Sequence, residues 1–426
     1  MLPPGPRMPV ALQTLGWIAR PGPFLERCRD RYGDAFTLRI QNEDTWVMLS
    51  DPAAVKQVFT GDPGLLHAGE ANGVLRPIVG ANSVLLLDDG AHMAQRKLLL
   101  PPFHGERMKA YGELMERVAE AEIATWPAGE VVATRPAMQR ITLEIVMRAI
   151  FGVSDARGLD RLRSAVTSLL DWTTRPSRLA LLVAAGPRGI GRLPEYRRVM
   201  RELDEVIADA IARRRGEPDL AERDDILSML LRATHEDGSP MTGDELRDEL
   251  TTLLVAGHET TATALSWALE RLARHPGAWA RLREGDEPYL DAVIKETLRL
   301  RPVLPIVLRR LKAPMEIGGF ELPAGVAAAP CIYLVHRRED LYPDARAFRP
   351  ERFLERPAGT YTWFPFGGGI RRCLGAAFAQ FEMAAVLRVL ARRCSRLEPD
   401  AVAAEPVVRR AITLVPGRGG SVVVGA

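Results

Sequence analysis

Apolar residues recur along this chain mainly at helical spacing. The longest such series is Leu246, Leu250, Leu253, Leu254, Gly257, Thr261, Ala264, Leu265, Ala268 and Leu272. Thr242-Gly243-Asp244-Glu245 ahead of it reads as a capping box. Arg271, Arg274, His275 and Pro276 suit a helix C-terminus. A rod of about 33 residues, near 50 Å at roughly 1.5 Å per residue, is expected. Shorter helices are expected from Pro21 to about Tyr32, from Pro52 after Asp51, from Tyr289 to Leu300 and from Ala376 onward. The last is apolar at Ala376, Ala377, Phe378, Phe381, Ala384, Val386 and Leu387, interrupted by Gln380 and Glu382. The stretch from Glu106 to His275 is mostly helical by period, with breaks at Trp126–Gly129, Phe151–Gly152 and Gly186–Pro187. Ala35–Ile40 and Thr45–Leu49, with polar Gln41–Asp44 between them, signal a hairpin. Ile317–Gly325 reads as another, and Ala411–Val415 turning through Pro416–Gly420 into Ser421–Val424 as a third. Arg301–Arg310 is extended and apolar with two prolines. Gly61–Gly90 is rich in glycine, asparagine and proline, an irregular segment of the kind that often carries function.

The charge balance changes this picture little. In 426 residues, Lys+Arg number 57 and Asp+Glu 54, a net +3 too even to argue for nucleic acid. Cys28, Cys331, Cys373 and Cys394 are scattered, with no zinc or iron–sulfur spacing, which fits a reducing compartment. No run approaches the roughly 20 apolar residues that span a bilayer, and no signal sequence precedes Pro3-Pro4-Gly5-Pro6. A cytoplasmic protein without a membrane anchor is expected.

The densest chemistry lies in Phe364-Pro365-Phe366-Gly367-Gly368-Gly369-Ile370-Arg371-Arg372-Cys373-Leu374-Gly375. Cys373 falls where a loop meets a helix N-terminus, whose unpaired N–H groups and dipole favour an anion. Arg371 and Arg372 reinforce the thiolate, the metal-binding form of the sulfur. The three glycines lack the Lys-Ser/Thr of a phosphate loop and the spacing of a dinucleotide fold. A single-thiolate seat for a haem iron is the reading. His92 and Arg96 stand four apart, on one face of a helix, where two donors could hold carboxylates. Within the long helix, Ala256-Gly257-His258-Glu259-Thr260-Thr261 combines a central glycine with paired threonines, which weaken a helix and offer groups to a ligand. Glu296 and Arg299 sit among apolar residues that call for a third partner, which Pro350-Glu351-Arg352-Phe353 can supply.

Phe366-x-x-Gly369-x-Arg371-x-Cys373-x-Gly375 resembles the cysteine loop of the cytochrome P-450 family at every defined position. His92/Arg96, Ala256–Thr261, Glu296/Arg299 and Pro350–Phe353 follow the same family's order, so the resemblance covers essentially the whole chain. It implies a cytochrome P-450 fold, mainly α with small β-sheets (α+β), in a single domain over 1–426, and a monomer. It implies haem b (heme b, iron protoporphyrin IX) on Cys373, within the loop defined by Phe366, Arg371 and Gly375. His92, Arg96 and Arg309 are then expected at the haem propionates, Ala256 in the oxygen-binding groove, and Glu259 and Thr260 as the acid–alcohol pair that delivers protons. Glu296, Arg299 and Arg352 become a structural cluster. The region from Arg161 to Ala185 with its break becomes a lid, and Gly61–Gly90 a wall of the pocket. The implied reaction uses O2 to hydroxylate or epoxidise a hydrophobic small molecule such as a fatty acid, terpenoid, steroid or polyketide. Val303, Leu304, Ile306, Val307, Ala256 and Ile412 are the apolar wall. With no flavin or iron–sulfur segment appended, electrons are expected from ferredoxin and ferredoxin reductase or a flavodoxin-type donor, docking on Arg371, Arg372, Lys97 and Arg107. A peroxide-driven or isomerising relative and a haem sensor or carrier remain alternatives, the first disfavoured by Glu259-Thr260.

Overall fold

The computed structural model describes residues 1–43, 45–103, 107–152, 156–174, 189 and 191–425. It divides into two compact units, one of Met1–Leu66, Met115–Ile141 and Thr260–Ala426, the other of His67–Leu114 and Thr142–Glu259. The helices Thr134–Phe151 and Gly243–Ala273 contribute turns to both.

The first unit holds the sheets. Ala35–Arg39 and Thr45–Leu49 pair antiparallel, Ala35 opposite Leu49 and Arg39 opposite Thr45, as the alternation requires. Thr45–Leu49 runs parallel to Ala327–Pro330, which pairs antiparallel with Arg309–Leu311. Successive side chains point to opposite faces, so Trp46 and Met48 join one core with Trp17, Phe24 and Phe36. Val47 and Leu49 join another with Val55, Phe59 and Phe364. A strand covered on both faces has no polar side to show, hence its unbroken apolar run. Pro52–Thr60 starts with Pro52 in the first turn and the Asp51 carboxylate accepting the Ala54 N–H at 3.0 Å. The hairpin expected over Ile317–Gly325 is present but shifted toward the N-terminus: Met315–Ile317 pairs with Phe320–Leu322 through Gly318-Gly319.

Two readings need correction. Thr413–Pro416 pairs with the preceding Val407–Arg410 and not with the tail. Val422–Gly425 instead joins Arg396–Pro399 and Val131–Val132. Gly419 and Gly420, at φ 89° and 67°, turn the chain into a different sheet, whereas Ala411-Ile412 makes the tight link that closes the true hairpin. Arg301–Arg310 becomes regular strand only at Arg309, because Pro302 and Pro305 have no N–H for a ladder.

The second unit is helical. Ala156–Thr174 packs on Pro194–Arg215, with the Trp172 and Tyr196 rings 4.8 Å apart. The long helix opens with the reciprocal cap its sequence announces: Thr242 N–H donates to Glu245 Oε2 at 2.7 Å and Glu245 N–H to Thr242 Oγ1 at 3.2 Å. Its next two turns fasten the irregular segment. Asp248 Oδ2 accepts from the Asn82 N–H at 2.8 Å and from Asn82 Nδ2 at 3.0 Å. Glu249 Oε1 accepts the Val84 N–H at 2.7 Å, and the Thr252 hydroxyl meets that of Ser83 at 2.8 Å. Of the expected lid, the helix through Thr174 is present, while 175–188, including the Gly186–Pro187 break, lie outside the described residues.

Candidate active site

Cys373 ends a tight loop and stands three residues before the helix Ala376–Arg393. Gly367 and Gly369 sit at φ 68° and 64°, where a side chain is strained. The loop also presses on Phe59: a Cβ at Gly368 would lie 2.3 Å from its ring, and one at Gly369 2.2 Å from its carbonyl oxygen. The Cys373 N–H donates to the Phe366 carbonyl at 3.0 Å, and the Arg372 N–H to that of Gly369 at 3.1 Å. Gly375 caps the following helix, its carbonyl accepting the Ala379 N–H at 2.8 Å.

Upstream, Phe364 is buried, its ring edge-on to Phe59 at 5.4 Å. Its N–H donates to His336 Nε2 at 3.0 Å. His336 is wholly buried; burial pushes its pKa well down, and Arg299 and Arg337 push the same way. It therefore stays neutral and can accept that bond. The Trp363 indole N–H donates to the Lys295 carbonyl at 3.1 Å, and its ring meets Phe366 at 6.3 Å.

The cluster expected around Glu296 is present in full. Arg299 grips both Glu296 oxygens at 2.7 and 2.8 Å, and Arg352 Nε reaches Oε1 at 3.2 Å. Arg299 also donates to the carbonyls of His336 at 2.6 Å and Ala345 at 2.8 Å. All three charged side chains are buried, so the cluster links the Glu287–Leu300 helix to the segment that carries His336.

Of the four cysteines only Cys373 is exposed. Burial pushes the thiols of Cys28 to about 11 and Cys331 to about 12, and raises that of Cys394. Cys373 is thus the one cysteine sulfur an incoming metal could reach. Nearby, Arg309 and Arg371 line a cavity of about 20 Å³ together with Phe59 and Gly368, so the structure brings these two candidate residues together. Arg372 is exposed beside them.

In the second unit His92 is buried and Arg96 half-buried, one turn apart on Asp89–Leu99. In the long helix Ala256 is exposed and Gly257, Glu259 and Thr260 are half-buried, whereas residues 261–273 are buried throughout. The helix runs unbroken through this turn. Gly257 serves close packing, since a Cβ there would lie 3.3 Å from Val146 Cγ2. His258, which had no expected role, is buried and ties two helices: its Nδ1 meets Thr142 Oγ1 at 2.9 Å, and that hydroxyl reaches the His258 carbonyl at 3.1 Å. Lys97 is ion-paired with Glu236 at 2.7 Å, and the Arg107 side chain lies outside the described set.

Two residues here escaped the pattern reading. His336 gives no local signal, because its partner is a distant backbone amide. Glu382 did interrupt an apolar series, which was its signal. It is wholly buried, and burial raises its pKa well above the carboxylate range, only partly offset by the Thr261 hydroxyl.

The chain matches the family described as Cytochrome P450 over residues 3–420. It is 45% identical over 441 residues to a Mycobacterium tuberculosis protein named as cytochrome P450 135B1, covering 100% of this chain and 92% of that one. It is 40% identical to another from Mycobacterium bovis named as cytochrome P450 138, covering 99% and 96%. Among solved structures it resembles retinoic acid-bound cyanobacterial CYP120A1 with a TM-score of 0.85 and 24% identity, covering 99% of each chain, a likeness of fold. No helix among the described residues is long and apolar enough to cross a membrane. A lone reachable cysteine in a glycine loop before a helix, a helical fold with small sheets, and matches along the whole chain agree: this chain belongs to the cytochrome P450 family of haem-thiolate monooxygenases.

Proposed function

We propose that Cys373 ligates the iron of haem b and that the enzyme places one atom of O2 into a hydrophobic small molecule, of the fatty acid, terpenoid, steroid or polyketide kind. The exposed Cys373 thiol carries this reading, held in a loop where Gly368 and Gly369 leave no room for side chains. The donor set fits the group: one soft thiolate for iron, and two arginines, Arg309 and Arg371, that line one cavity beside the loop and would pair with its carboxylates. His92 and Arg96 supply further donors. When bound, a thiolate-ligated haem iron supplies O2 binding and cleavage of the O–O bond.

The remaining work falls to the chain. The neutral His336 and the Phe364–Phe59 contact fix the loop, so the sulfur is presented in one position. On the accessible turn of the long helix, the Glu259 carboxyl would take up a proton and pass it toward the Thr260 hydroxyl, which holds it for delivery. Ala256 leaves space for the substrate, and Val303, Leu304, Ile306, Val307 and Ile412 would exclude water around it.

Electrons come from separate proteins, a ferredoxin with its reductase or a flavodoxin-type donor. Arg372, exposed beside the cysteine loop, would offer a basic contact to an acidic donor. Thr260→Ala tests the proton role. The variant is expected to bind haem normally while sending reducing equivalents to hydrogen peroxide. Product yield per electron equal to the wild type would contradict it.

A further inference from the structure

The helix Val10–Ala19 is turned inside out. Its only buried residues are Gln13, Thr14 and Trp17. Gln13 Nε2 donates to the carbonyls of Pro6 at 3.2 Å and Met8 at 2.9 Å, and its Oε1 accepts the Arg39 N–H at 2.9 Å. Thr14 Oγ1 accepts the Gln41 N–H at 2.9 Å and donates to the Val10 carbonyl at 2.9 Å. The polar side chains are spent on the neighbouring strand and chain. Apart from Trp17 and Ile18, which pack on the core, the apolar ones face out: Leu12 is 52% exposed, Leu15 58%, Met8 43% and Val10 39%, with Ala11 and Ala19 exposed beside them. A surface helix ordinarily does the reverse, and clustered exposed apolar residues mark a contact surface.

The rim of this face is basic. Arg7 and Arg20 are exposed at its two ends and Arg39 on the adjoining strand, and none of the three has a carboxylate partner among the described residues. No acidic residue occurs before Glu26, and Glu26 is itself paired with Arg346 at 2.8 Å. An apolar strip framed by arginines complements one kind of surface, a lipid layer with anionic head groups, where the leucines enter the acyl boundary and the guanidiniums meet phosphates. A second copy of the chain is a poor occupant. A ten-residue helix offers a strip roughly 15 Å by 10 Å, far below the about 800 Å² per partner of a stable protein pair, and the matching rims would repel.

We propose that this face docks the protein peripherally on anionic membranes, with Val10–Ala19 lying in the interface and not crossing it. The test is co-sedimentation of the haem-loaded full chain with vesicles of equal parts phosphatidylglycerol and phosphatidylcholine, against phosphatidylcholine alone. Binding to the anionic vesicles is expected, at least tenfold weaker to the neutral ones and falling with salt. Leu12→Asp with Leu15→Asp should lose at least tenfold in binding while melting at the wild-type temperature, since both positions are exposed. Arg7→Gln with Arg20→Gln should abolish the preference for anionic lipid. No binding by the wild type, equal binding to both vesicles, or undiminished binding by the double aspartate variant overturns the proposal. So does concentration-dependent self-association without lipid that the aspartates remove, because the face would then belong to a second copy.

Discussion

Glu249 should make the stability of this enzyme fall as pH rises, and removing its charge should cancel that fall. The carboxyl is wholly buried. Burial raises its pKa from 4.5 to about 8, the negative Asp248 and Glu245 add to this, and the Val84 N–H and Gln95 side chain oppose it. In the unfolded chain it ionises near 4.5. Between those values the folded state binds the extra proton, so this contribution to stability is complete below pH 4.5 and drains away up to about pH 8. At about 1.4 kcal/mol per pH unit the ceiling is about 5 kcal/mol. Glu249→Gln keeps an oxygen for the Val84 N–H and is neutral throughout. Urea unfolding of both proteins should give unfolding free energies that nearly coincide at pH 5 and separate by several kcal/mol at pH 9, the glutamine variant being the more stable. Curves offset equally at both pH values would refute the argument, since the carboxyl would then not titrate differently on folding.

The other predictions concern the cysteine loop and its supports. Arg352→Ala leaves the buried Glu296 carboxylate with one fewer cation and should cost about 3–5 kcal/mol, read as a lower urea midpoint; a loss under 1 kcal/mol would contradict the cluster's role. Gly369→Ala must fit a methyl 2.2 Å from the Phe59 carbonyl at φ 64°; a loss of at least about 2 kcal/mol and faster haem release are expected, and unchanged haem retention would sink the close-packing argument. Arg372→Gln should raise the KM for an acidic ferredoxin several-fold at low salt, with kcat and haem content kept; a donor response equal to the wild type would remove Arg372 from the docking face.

What could be read from the sequence was what short-range chemistry decides. The capping box at Thr242, the Asp51-Pro52 start and the Gly318-Gly319 hairpin each depend on residues within a few positions, and each formed, the hairpin shifted toward the N-terminus. That Glu296 and Arg299 need a third partner could be read because charges buried among apolar residues must be matched; that Arg352 is that partner was implied by the family resemblance. The tail hairpin failed for the opposite reason: alternation marks a strand but does not say which strand pairs with it, and the glycines at 419 and 420 redirected the chain. Gly257 was legible as unusual, but its cause, contact with Val146 on another helix, is tertiary. His336 and Glu382 belong to the same class. The first acts through a backbone amide 28 positions away, and the second owes its raised pKa to burial that only packing creates. The inverted helix at Val10–Ala19 is legible only once Gln13 and Thr14 are seen to point inward.

The central claim is that the sulfur of Cys373 binds iron. The direct test is the absorption spectrum of the reduced, carbon monoxide-bound protein, wild type and Cys373→Ser, after haem supplementation. The wild type should give the spectrum of a thiolate-ligated haem and the variant should lose it. A colourless wild-type protein, a histidine-type spectrum, or a thiolate spectrum that survives in the variant would contradict the account.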